Sequence, residues 1–173
     1  ELFLLTNKPV LYVCNVDEAS AKDGNKYVDM VKEAVKDEEA EMLVVAAKIE
    51  SEIAELESFE EREMFLSELG LESSGVSRVI RSAYSLLNLE TYFTAGVQEV
   101  RAWTYPKGAK APQAAAVIHT DFEKGFIRAE VIKYADFVKY GSENGCKEAG
   151  KLGVEGKEYV VQDGDIMHFR FNV

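Results

Sequence analysis

Val10-Leu11-Tyr12-Val13-Cys14-Asn15-Val16-Asp17-Glu18 decides the fold of this chain. Val10–Cys14 is a short, β-prone apolar run, and Pro9 precedes it where a strand tolerates a missing N–H. Asn15-Val16-Asp17-Glu18 is a polar loop at its end. Tyr27, Val28, Val31, Ala34 and Val35 then recur at helical spacing, which predicts an amphipathic helix over residues 25–38. Met42–Ala47 reads as a second buried strand. Ile49, Ile53 and Leu56 share one helical face after it. Strand, loop, helix, strand, loop, helix is the rhythm of a doubly wound α/β sheet. Ligands of such sheets bind beyond the C-terminal ends of the strands, where this one delivers Asn15 and Glu18.

Working outward, Ser58 followed by Glu61 has capping-box spacing and predicts a helix. Its expected apolar face is Met64, Phe65 and Leu69, and Gly70 closes it. Val76, Val79, Ile80, Ala83, Tyr84 and Leu87 predict another helix. After Asn88 the texture changes: glycine rises and β-branched and aromatic residues alternate. Glu99–Tyr105 alternates as a half-exposed strand and stops at Pro106-Lys107-Gly108. Ala111–His119 reads as a short Ala-rich helix and Phe126–Ile132 as a strand. Tyr159-Val160-Val161, Gln162-Asp163-Gly164 and Asp165–Phe171 read as strand, turn, strand. A small mixed sheet holding one helix is a β-grasp architecture. Two domains follow, 1–87 of α/β type and 88–173 of α+β type, with the boundary near residues 86–92. No internal repeat is visible.

Composition narrows the function. The 173 residues are 47% hydrophobic and 29% charged, so a core can form and disorder is excluded. The longest apolar runs, such as Val10–Cys14 and Met42–Ala47, are too short to span a membrane as helices. Cys14 and Cys146 belong to no metal-type spacing and are too few for a disulfide scaffold, so both are expected as reduced thiols in a cytosolic protein. Glu1 opens directly on Leu2-Phe3-Leu4-Leu5 with no basic segment before it. A signal peptide is not expected, and chain upstream is. The net charge is −11, and residues 1–87 carry 19 acidic against 9 basic groups. Such a chain repels phosphate backbones, which argues against non-specific nucleic-acid binding. Thirteen acidic against two basic residues between Asp37 and Glu72 read as a solvated face, with an acidic docking surface as the alternative.

Few residues carry chemistry. No GxxxxGK[ST] loop exists to cradle a triphosphate, and Gly150-Lys151 and Gly156-Lys157 lack its other members. His119 and His168 have no partners at metal-ligand spacing and read as structural. Cys14 reads as a packing residue. No Ser-His-Asp arrangement is present. Asn7-Lys8 imitates the start of an NKxD motif, but Val10 breaks it. Asn15 with Glu18 three residues later is different, because purine-binding loops use an Asn to brace neighbouring loops and a carboxylate to accept N–H groups from the base. Glu18 in place of the usual Asp moves the charge by one methylene. A charge-assisted bond of ~1.5–3 kcal/mol tolerates such misplacement badly, so guanine preference should weaken.

The strings NLETYFTAGVQEVRAWTYPKGAKAPQAAAVIHTDFEKGFIRAEVI and YVVQDGDIMHFRFNV closely resemble the C-terminal region of YchF-type, Obg-like ATPases. The resemblance extends from NKPVLYVCNVDE through IESEIAEL and ELGLESSGVSRVIRSAYSLLNL to Val173, essentially the whole chain. It implies the end of a P-loop-type G domain followed by a β-grasp TGS domain, named for threonyl-tRNA synthetases, GTPases and stringent-response enzymes. It further implies a cytoplasmic, ribosome-associated hydrolase that binds ATP at least as well as GTP and uses Mg²⁺. The family's base motif ends in Glu, and Asn15, Val16, Asp17 and Glu18 match it. Ala46 and Ala47 occupy the second base-side loop, where small side chains let backbone groups approach a purine; tight strand packing is the alternative. The family's P-loop and switches fall upstream of Glu1. The chain alone is therefore expected neither to hydrolyse ATP nor to bind it tightly.

In 88–173, Arg101, Trp103 and Tyr105 share one face of their strand and Val100, Ala102 and Thr104 the other. The aromatic face suits RNA or protein contact; with Trp usually buried, it is favoured instead as core. Lys124, Arg128 and Lys133 are expected as a modest basic patch. Two functions stay open: part of a nucleotide-binding, ribosome-contacting ATPase, or a stand-alone regulatory binding module with no nucleotide role.

Overall fold

The computed structural model describes residues 4–38, 40–96 and 99–172. Glu1, Leu2, Phe3 and Val173, named above, lie outside them. The chain divides into two compact units, Glu1–Leu87 and Asn88–Val173.

In the first unit β1 (Leu11–Asn15) runs parallel to β2 (Glu41–Val45), with Leu11 opposite Glu41 and Asn15 opposite Val45. Helix α1 (Lys26–Ala34) connects them, capped by Asn25, whose side chain accepts from the N–H groups of Tyr27 and Val28. It stops at Ala34, short of residue 38. Helices α2 (Ala47–Glu55), α3 (Phe59–Glu68) and α4 (Gly75–Leu86) follow. Ala46, Ile49, Ile53 and Leu66 form the core, with Val16, Phe65 and Leu69 against it.

The capping box at Ser58 and Glu61 is present, with both reciprocal bonds made. At the other end of α3, Gly70 takes φ +67° and the Leu71 N–H donates to the Leu66 carbonyl, a Schellman ending that favours glycine. Two expectations are corrected. β1 is not a buried strand, since Val13 is nearly half exposed and none of its residues is fully buried. Met64 faces solvent, and Leu66 takes the inward position. The helix expected from Val76 onward is present as α4, with Val76 and Ile80 facing outward and Gly75 and Ser82 buried. Gly75 turns inward because it has no Cβ: one built there would lie 2.9 Å from Val45 Cγ1 and 2.8 Å from Glu50 Oε1. The Glu50 carboxylate uses that room to accept from the Gly75 and Val76 N–H groups, where the helix dipole favours an anion.

The second unit is a five-stranded mixed sheet in the order β4-β3-β7-β5-β6. Its elements are β3 (Leu89–Ala95), β4 (Val100–Pro106), α5 (Ala111–Ala116), α6 (Thr120–Lys124), β5 (Phe126–Lys133), α7 (Tyr134–Tyr140), α8 (Glu143–Glu148), β6 (Gly153–Glu155) and β7 (Asp165–Phe171). β3 and β7 are parallel, and the other pairs are antiparallel. Ala111, Ala114 and Ala115 are fully buried, so α5 lies close on Tyr92, Phe126 and Phe169. The expected hairpin through Gln162-Asp163-Gly164 is corrected. Val160 makes only an isolated bridge with Lys110, and β7 pairs with β5 and β3. β3, β6, α6, α7 and α8 went unpredicted.

The buried phenols should make this unit alkali-sensitive. Burial pushes the Tyr92 phenol far up, and burial with a hydrogen bond to Glu90 does the same to Tyr105. Both hold their protons more tightly folded than unfolded. Their stabilisation is therefore complete below pH ~10 and is lost as pH rises through the folded-state values. Tyr92→Phe should flatten the alkaline limb of a stability–pH curve, measured by urea unfolding at fixed pH steps. An unaltered limb would place the alkaline transition elsewhere.

Candidate functional site

Backbone pairing sets the site. β1 and β2 run in register, so their C-terminal ends lie side by side. The Val16 N–H donates to the Val45 carbonyl at 2.9 Å. One residue earlier, Asn15 Oδ1 accepts from the Ala47 N–H at 3.0 Å. Ala47 is the first residue of α2, so that N–H has no partner within the helix. The residue before it, Ala46, has no side chain able to cap. Asn15 thus caps α2 from the neighbouring strand and fastens the two loops together. Ala46 is 4% exposed, and a larger side chain would strike the core it belongs to.

The rest of the loop is divided in its roles. Asp17 turns back on its own chain: its Oδ1 accepts from the Ser20 N–H at 3.0 Å and shapes the turn Glu18–Ser20. Val16 leans on the core. Glu18 projects into solvent, with Oε2 3.8 Å from Lys48 Nζ. Lys48 Nζ also lies 3.7 Å from Glu52 Oε1, one turn along α2. The structure thus brings Asn15 and Ala47 into direct contact and leaves Glu18 on the surface beside Lys48. Lys48 was missed from sequence; its place straight after Ala46-Ala47 was the available signal. A cleft of about 460 Å³ adjoins the loop, lined by Val13, Asn15, Val16, Tyr27, Val28 and Val31.

Elsewhere the candidates resolve individually. Among the described residues no group of three or more His, Cys, Asp or Glu side chains is placed to hold a metal ion. His119 Nδ1 accepts from the Asp121 N–H and caps α6. Cys14 is half-buried and Cys146 buried, both as free thiols, and burial with the nearby Asp136 carboxylate raises the Cys146 thiol. On β4, Tyr105 is buried and its hydroxyl donates to Glu90 at 2.9 Å. Trp103 packs on the core, its indole N–H donating to Thr94 Oγ1 at 2.9 Å. The Arg101 guanidinium stacks 4.1 Å above the Trp103 ring. The core reading of this face holds. The basic patch is corrected: Lys133 is engaged by Asp165, Tyr159 and Gln162, and Arg128 pairs with Glu130. A groove of about 570 Å³ runs between Trp103, Ile118, Phe122, Phe169 and Phe171.

Residues 89–172 match the family model YchF-GTPase_C, described as a protein of unknown function (DUF933). The chain is 60% identical over 175 residues to the Ribosome-binding ATPase YchF of Bacillus subtilis (strain 168), covering 100% of this chain and 48% of that one. It is 62% identical over 169 residues to the protein of the same name from Haemophilus influenzae, covering 98% and 46%. The structure of the Schizosaccharomyces pombe YchF GTPase superposes with a TM-score of 0.83 at 40% identity, over 96% of this chain and 44% of that one. The chain spans about half the length of the curated relatives it matches.

Proposed function

The chain belongs to the YchF family, and on that premise we propose that it supplies the purine-binding end of a ribosome-associated NTPase. The observation that carries the proposal is the hydrogen bond from the Ala47 N–H to Asn15 Oδ1. It holds the loop after β1 against the start of α2, which is what a flat base gripped from two sides requires. The small Ala46 and Ala47 let backbone approach one side of the ring. Glu18 accepts N–H groups at its edge. Because glutamate reaches one methylene further than aspartate, guanine loses its tight bidentate contact, and ATP competes at least equally with GTP. In this reading the phosphates and Mg²⁺ are held by residues outside 1–173. When bound, Mg²⁺ would neutralise charge on the phosphates.

The second unit, in the same proposal, is a TGS domain that contacts ribosomal RNA or protein, and the whole protein works in the cytoplasm. Support comes from the names of the relatives and from the Arg101–Trp103 stack beside an aromatic groove.

Nucleotide affinities of the full-length protein test the site. Asn15→Ala should weaken ATP about tenfold, the worth of one bracing hydrogen bond of ~1–1.5 kcal/mol. Glu18→Asp should shift preference toward GTP. Residues 1–173 alone should show no measurable turnover. Unchanged affinities and ratio in both variants would leave the stand-alone binding module as the better account, and wild-type-like turnover from 1–173 would overturn the assignment of the phosphate site.

A further inference from the structure

We propose that Lys48 is a positioning residue that sets purine selectivity by competing for the Glu18 carboxylate; this rests on the nucleotide reading above. Lys48 Nζ stands 3.8 Å from Glu18 Oε2 and 3.7 Å from Glu52 Oε1. The approach of Lys48 to Glu18 is built into the backbone. Lys48 directly follows Ala47, whose N–H is held by Asn15, and the loop leading to Glu18 is pinned by the bond from the Val16 N–H to the Val45 carbonyl. Two sequence-distant residues are therefore kept within ion-pair reach although both side chains are more than half exposed.

The chemistry follows from what each base offers. Guanine presents two adjacent N–H donors, from N1 and N2, and needs both carboxylate oxygens free for a bidentate contact. A carboxylate with one oxygen drawn to an ammonium has the other left for a single donor. Adenine offers such a donor in its 6-amino group. Lys48 thus handicaps guanine more than adenine. Glu52 opposes it: by drawing the ammonium along α2 it releases Glu18. The three side chains form a graded contest in which removal of Lys48 and removal of the Glu52 charge act in opposite directions.

Lys48→Met keeps the aliphatic stem and removes the ammonium. In the full-length protein it should raise GTP affinity relative to ATP about two- to fivefold, the range expected for an exposed ion pair. Glu52→Gln should move the ratio toward ATP by about twofold. Rising salt should erode the ATP preference of the wild type and leave that of Lys48→Met flat, because only the former has a pair to screen. A structural role would lower both affinities together and leave their ratio unmoved. An unchanged ratio in Lys48→Met, or shifts of the same sign in both variants, overturns the inference. The nucleotide reading is judged separately by Asn15→Ala. If that variant loses affinity for both nucleotides while Lys48→Met keeps the wild-type ratio, only the Lys48 role falls.

Discussion

Replacing Asp165 with Ala should lower the stability of the 88–173 unit by about 3 kcal/mol. Asp165 is fully buried at the start of β7. Its carboxylate accepts from Lys133 Nζ at 2.7 Å, the Tyr159 hydroxyl at 2.6 Å and the Gln162 N–H at 3.0 Å. These bonds tie β5, the segment before β7 and β7 itself to one point. Truncation leaves the Tyr159 hydroxyl and Gln162 N–H without their acceptor, and breaking a buried pair costs about 3–5 kcal/mol. The lower end applies here because Lys133 is 45% exposed and can rehydrate. Lys133→Met should cost less, about 2 kcal/mol, since two donors to Asp165 survive. Burial opposes the Lys133 charge, but its bonds to Asp165 and Tyr159 prevail and hold the ammonium above its ordinary value. Trp103 is the only tryptophan, so its fluorescence in a urea titration reports this unit alone. An Asp165→Ala midpoint matching wild type would mean that the buried network stabilises nothing.

Local chemistry was legible in the sequence wherever a residue acts on its own neighbourhood. Ser58 and Glu61 announced their helix because a capping box is closed within one turn. Alternation along β4 announced that Trp103 and Tyr105 share a face, and the burial habit of Trp chose which face. Partnerships set by tertiary contact were not legible. Tyr159-Val160-Val161 has the composition of a strand, yet its backbone bonds go to the α5 approach: Ala111 N–H to Tyr159 and Val161 N–H to Ala109. β3 was hidden because it follows α4 with no glycine or proline between; α4 ends instead at Asn88, whose φ of 54° lies in the left-handed region that asparagine tolerates. The α4 stripe declared a helix but not which side would be covered, since that was decided by the absence of a side chain at Gly75. In the candidate site Asn15 and Glu18 were visible as a spacing. Lys48 was marked only by its place after Ala46-Ala47, and its approach to Glu18 follows from the β1–β2 pairing that sets the two loops side by side.

The sharpest steric prediction concerns Gly125, between α6 and β5. Its φ of −90° is open to any residue, so conformational freedom is not why glycine stands there. Space is the reason. A Cβ would lie 2.0 Å from the Asn172 carbonyl oxygen and 2.8 Å from its carbonyl carbon. Those atoms are backbone and cannot rotate away as a side chain would. Gly125→Ala must therefore push the end of β7 outward and break the bond from the Asn172 N–H to the Gly125 carbonyl, 2.9 Å long. The displacement would reach the Phe122–Phe171 stack, whose centroids are 3.7 Å apart and which forms one wall of the aromatic groove. Overpacking costs about 1–3 kcal/mol where side chains can adjust, and a backbone clash this deep belongs at or above the upper end. Gly156→Ala supplies the comparison: its Cβ would meet nothing within 4 Å, and its φ is not in the left-handed region. Losing only glycine's unfolded-state freedom there, it should leave stability unchanged or raise it by up to about 1 kcal/mol. Urea midpoints read from Trp103 should separate the two variants by at least 3 kcal/mol. Equal midpoints would show that β7 yields at its end without resistance, and the close approach at Gly125 would then have no energetic meaning.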